Sequence, residues 1–149
     1  MRLLLNLCVI SLGLVAAQDP FSGVWKLNLS KSTLPQPAPQ SQTVSMNVDR
    51  QSIRIYEELV SETGERLTVT VDARFDGKDY PVIGTPRADT VAYQRVNSRT
   101  IKGVARKSGK VVSTETAVIS KDGGTMRVTY SSTDERGKRA GGVGVFDKQ

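Results

Sequence analysis

The chain contains no histidine, and its single cysteine is Cys8. The first absence excludes a Ser-His-Asp triad, an imidazole base near neutral pH and His-ligated metal sites. The second confines thiol chemistry to the first few residues, so the rest of the chain has neither a disulfide nor a thiolate nucleophile nor Cys-ligated zinc. Aromatic residues make up only 5% of the chain, too few for a large aromatic-lined pocket. Acidic residues are missing from one long stretch, Thr90 to Thr114, which holds Arg95, Arg99, Lys102, Arg106, Lys107 and Lys110. Long apolar runs are missing as well: the stretch Leu3 to Val15 falls short of the about 20 residues that a membrane-crossing helix needs.

That apolar start, behind Arg2 and ahead of Ala16 and Ala17, reads as a secretory signal peptide over residues 1–17. An exported protein is expected, secreted or periplasmic and not membrane-spanning. Residues 18–149 then form a single domain, large enough to bury a core without disulfide staples. The whole chain has 21 Lys and Arg against 15 Asp and Glu, a formal net charge of +6. Nucleic acid is not the expected partner, because Tyr93 is the one aromatic within the basic stretch and offers no stacking platform.

With histidine and usable cysteine gone, catalysis would need carboxylates or a Ser-Lys pair. Glu57 and Glu58 are neighbours on a strand and point to opposite faces, so they cannot form a dyad with each other. A carboxylate enzyme would need two acidic side chains converging in one cleft. Asp76 and Asp79 flank Gly77-Lys78 as turn formers do, and Ser30-Lys31-Ser32 has no oxyanion element beside it. The expectation is no catalytic residue, no metal and no cofactor.

What is present is alternation. Leu67, Val69, Val71, Ala73 and Phe75 share one face of a strand, with Arg66, Thr68, Thr70, Asp72 and Arg74 on the other. Val44, Met46 and Val48 share a face of an earlier strand, and Ile53 and Ile55 a face of the next. Turn formers then fall at Asn97, Gly109, Gly123 and Gly137, spaced 12, 14 and 14 apart. This spacing predicts strands at about Asp89–Val96, Arg99–Lys107, Lys110–Ser120, Thr125–Thr133 and Lys138–Phe146. Pro35, Pro37 and Pro39 make residues 29–41 an extended loop, and Pro81, Gly84 and Pro86 make their own stretch irregular. No apolar set recurs at helical spacing. An all-β, antiparallel up-and-down barrel of about 8–10 strands follows, in which closure removes exposed edges.

Gly23-Val24-Trp25, at the start of the domain, resembles the Gly-x-Trp signature of the lipocalins and related calycins. Together with Phe21 to Asn28, Ser30-Lys31-Ser32, Phe75 to Val82 and the closing Val145 to Gln149, it is similar to small exported lipocalin-like proteins of environmental bacteria. The resemblance implies that Gly23 and Trp25 close the barrel floor under a basic side chain from a late strand. Arg127 is the first candidate for that cation, with Arg139 and Arg95 as others. The closing helix of true lipocalins has no counterpart after Phe146, and the prolines at 35, 37 and 39 stand where fatty-acid-binding proteins have a helical lid.

A ligand inside such a barrel would meet inward side chains, and Tyr56, Phe75, Tyr80, Tyr93 and Tyr130 are the aromatic candidates. Arg95 shares a strand face with Val91 and Tyr93, where it could pair a ligand carboxylate. A barrel filled by its own Val, Ile and Leu side chains is the competing picture. The leading function is an exported, non-catalytic binding protein for a small apolar or amphipathic ligand. The alternative is an envelope or extracellular interaction protein, whose basic hairpin (Lys102, Arg106, Lys107 and Lys110) contacts an anionic glycan, lipid or protein partner.

Overall fold

The structure, a computed structural model, describes residues 17–134 and 136–149. The expected signal peptide, apart from Ala17, lies outside the described residues. Ten strands follow one another: β1 (Gly23–Leu27), β2 (Ser41–Val48), β3 (Ser52–Val60), β4 (Arg66–Arg74), β5 (Tyr80–Ile83), β6 (Thr90–Asn97), β7 (Thr100–Lys107), β8 (Lys110–Ile119), β9 (Thr125–Thr133) and β10 (Arg139–Lys148). Helix among the described residues is a single 3₁₀ turn, Leu29–Lys31.

Each strand pairs antiparallel with the next, and β1 joins β10 through Trp25 opposite Lys148 and Leu27 opposite Phe146, closing the barrel. The fold is an all-β closed antiparallel barrel of ten strands, as the alternation and turn spacing predict. The even spacing of turns past Asn97 is the source of the regular half, β6 to β10. β5 lies where Pro81, Gly84 and Pro86 predict irregular chain. It is a strand of four residues with two aligned pairs on each side, because Pro81 has no N–H to extend the ladder. β10 runs two residues past Phe146, since Asp147 and Lys148 are the partners that β1 needs.

The two ends differ in how they are filled. At the end holding the 49–51, 98–99 and 120–124 turns, Phe21, Trp25, Val48, Ile53, Ala73, Ile101, Ile119, Met126 and Phe146 are buried and pack together. The other end holds the 61–65, 84–89, 108–109 and 134–138 connections and the proline-rich loop. That loop is fastened to the wall: Thr33 and Val143 exchange backbone hydrogen bonds of 2.8 Å each way, and Leu34 packs against the core.

Candidate functional site

The closed end shows what became of the resemblance-derived floor. Trp25 is fully buried, and its Nε1–H donates to the Phe21 carbonyl at 2.8 Å. The cation over its ring is Lys148, with Nζ 5.0 Å from the ring centroid, not Arg127, which lies exposed on β9. The reason is register: Lys148 sits opposite Trp25 on the neighbouring strand, whereas Arg127 pairs with Val145 and takes the outward side. Arg139 is exposed at the far end of β10. Gly23 makes the stacking possible, for its φ is +132° and a Cβ there would stand 2.9 Å from Lys148 Cε.

Arg95 does point inward, but it is already occupied. Its Nη1 donates to Asp19 Oδ2 at 2.6 Å, and its guanidinium lies over the rings of Phe75 (5.2 Å) and Phe21 (5.8 Å). Nε and Nη2 are buried with no hydrogen-bond partner; the two aromatic faces are what they meet instead. The charge of this guanidinium is thus already met by Asp19, inside the packed floor. Tyr80 gives its phenol proton to Asp76 Oδ2 at 2.8 Å, and Asp76 also caps Lys78 N–H, as its turn position predicts. Tyr56 is exposed on the outer wall, beside Val24, Asn47 and Arg54. The alternation that sends Ile53, Ile55 and Glu57 inward places it on the wet side.

Above this floor the inward side chains are less completely buried, though Ile55, Val82, Ala117 and Val128 still pack against the core. Ile55, Leu59, Leu67, Val69, Val82, Ala105, Ala117 and Val128 occupy inward positions on their strands, yet all keep part of their surface accessible. Glu57 and Glu115 do the same although the barrel encloses both.

One row of inward residues runs around the wall at the level of Glu115. Register aligns Tyr93 with Gly103, Gly103 with Glu115, Glu115 with Tyr130, and Tyr130 with Gly142. Glycines thus stand beside the bulky members of the row, and each makes room for its neighbours. A Cβ on Gly103 would stand 2.7 Å from Glu115 Oε1 and 2.8 Å from Tyr93 Cε1. One on Gly142 would stand 3.0 Å from the Tyr130 hydroxyl. Tyr93 and Glu115 meet across Gly103, where the phenol lies close enough to feel the carboxylate's charge. On the far wall Glu57 lies between Val44 and Val69, and Gln42 Nε2–H donates to its Oε1 at 2.8 Å. β3 and β8 are five strands apart in either direction around the ten, so Glu57 and Glu115 project from opposite walls.

Burial pushes both carboxyls above their ordinary value, and the charge of Glu115 adds to the rise at Glu57. Gln42 opposes it at Glu57, as does Arg87 from an exposed place on the mouth loop. Tyr93 is pushed well up by burial and then by the charge of Glu115. This is the convergence that carboxylate catalysis requires. The two environments differ, Glu57 having the Gln42 amide and the distant charge of Arg87 and Glu115 having Tyr93.

Sequence reasoning missed Glu115 and Gln42, and saw in Glu57 only its quarrel with Glu58. The signal was phase: Glu57 follows Ile53 and Ile55 at two-residue steps, and Glu115 precedes Ala117 and Ile119 in the same way. The basic hairpin is less free than its sequence suggests. Arg106 pairs with Asp79 at 2.6 Å and Lys107 with Asp89 at 2.8 Å, so acids from the preceding connection fill the acid-free stretch. Lys102 and Lys110 are exposed and separate, Lys102 in mid-strand and Lys110 past the turn.

No protein-family model matches the chain, and no curated protein matches it. Among solved structures it is similar to the zebrafish ileal bile acid-binding protein, crystallised in complex with cholic acid. The two are 12% identical with a TM-score of 0.56, over 87% of this chain and 99% of that one. The likeness is one of fold.

Proposed function

We propose that this is an exported, non-catalytic binding protein that holds a small amphipathic molecule in the open half of its barrel. The reading rests on one observation: the inward side chains between the buried floor and the mouth, mostly apolar with a few polar groups among them, keep part of their surface accessible. Such a lining suits an amphipathic guest, since apolar contact supplies affinity at about 25 cal/mol per Å² buried while the polar groups set orientation. The bile acid-binding protein of similar fold lends support, as a barrel of this kind crystallised with an amphipathic acid. The pairing of Arg106 and Lys107 with Asp79 and Asp89 argues against the basic hairpin as the main contact.

The test is titration with the neutral fluorophore N-phenyl-1-naphthylamine, for the parent and for Ala105→Trp, which fills the lumen. The expected result is one saturable site in the parent and its loss in the folded variant. Binding that survives the filled lumen, or no binding by the parent, overturns the reading.

A further inference from the structure

The lumen is acidic inside a protein whose net charge is +6. Glu57 and Glu115 enter from opposite walls, and the groups beside them are neutral: Gln42 donates to Glu57, and Tyr93 lies next to Glu115 across Gly103. Neither carboxylate forms a salt bridge among the described residues. The inward cations, Arg95 and Lys148, lie at the closed end, one bound to Asp19 and the other over Trp25. Arg87, exposed at the mouth, reaches Glu57 only with its charge.

An enclosed carboxylate without a cation costs several kcal/mol in lost solvation, and a cation placed beside it offsets that cost. The walls supply none, so such a carboxyl either takes up a proton or meets a cation that a guest brings. On the lumen-binding reading above, we propose that the ligand is an organic cation, an amine carried on an apolar body, whose ammonium group sits between Glu57 and Glu115. Its apolar part lies against Ile55, Leu59, Leu67 and Val69. An ammonium has three N–H donors, enough to reach both carboxylates at once. The polarity is the reverse of what an amphipathic acid requires.

The experiment compares 1-decylamine, 1-decanol and decanoate, equal in chain length, by displacement of N-phenyl-1-naphthylamine at neutral pH. Decylamine is expected to bind at least about tenfold more tightly than decanol, a difference of about 1.4 kcal/mol, with decanoate weakest. In Glu57→Gln/Glu115→Gln, whose fold is checked by near-ultraviolet circular dichroism, amine and alcohol become equal. If decanol or decanoate matches decylamine, or the double variant keeps the preference, the assignment of a cation fails while lumen binding stands. If the fluorophore itself does not bind, lumen binding fails and the cation with it.

Discussion

At the floor of the barrel, Arg95 lies between Phe21 and Phe75 and gives its charge to Asp19; in the lumen, Glu57 and Glu115 face each other with only Gln42 and the Tyr93 phenol in attendance. Both regions bury charge. The floor neutralises it internally and packs aromatic rings around the pair, which makes a rigid plug. The lumen sets two carboxyls on opposite walls with neutral neighbours and, among the described residues, no salt bridge to either. The contrast teaches that an inward charged residue in a small barrel is informative only after its partner is known.

The sharpest way to break the floor is Trp25→Ala, which removes the largest buried side chain together with its bond to Phe21 and its contact with Lys148. Urea unfolding is expected to show a loss of about 3–5 kcal/mol. Next is Asp19→Ala, which strands the Arg95 guanidinium in its pocket and costs about 3 kcal/mol, whereas Asp19→Ala/Arg95→Met recovers much of it. A double variant no more stable than the single would show that the rings, not the ion pair, hold Arg95.

In the lumen the expected effect is smaller and carries a pH signature. Burial raises Glu57 and Glu115, so the folded protein keeps their protons to higher pH than the unfolded chain. Their contribution is complete below the ordinary value of 4.5 and is lost as pH climbs through the raised folded-state values. Glu57→Gln/Glu115→Gln should therefore match the parent at pH 4 and exceed it in stability at pH 8. The turn carboxylates Asp49, Asp76 and Asp122 act in the opposite sense. Their turn hydrogen bonds lower them, so their contribution is held above the ordinary carboxylate value and lost as pH falls. The acid limb of the stability profile should be unchanged in the double variant. Least of all is expected from Arg106→Gln/Lys107→Gln, two surface pairs whose removal should leave the thermal midpoint within error. A large drop there would mean that the hairpin carries structural weight.

Much of the fold was legible because strand alternation and turn spacing are local. Leu67 to Phe75 shows its dry face without any partner, and Asn97 to Gly137 marks its turns by residue type. β5 was hidden because its residues look irregular and only the neighbours β4 and β6 hold them in line. The site was legible in part. Tyr93 and Tyr130 belong to the lumen row, while Tyr56 faces out, Tyr80 is tied to Asp76, and Phe75 with Arg95 belongs to the floor.

The sequence by itself determined the phase of each strand, and with it the face on which every residue between two turns would lie. The closed barrel decided who meets whom: Lys148 and not Arg127 over Trp25, Asp19 on Arg95, Glu57 across from Glu115. Phase is set by the two-residue repeat of an extended backbone, a property of neighbours in the chain. Partnership depends on shear and closure, which bring together residues that share no local signal.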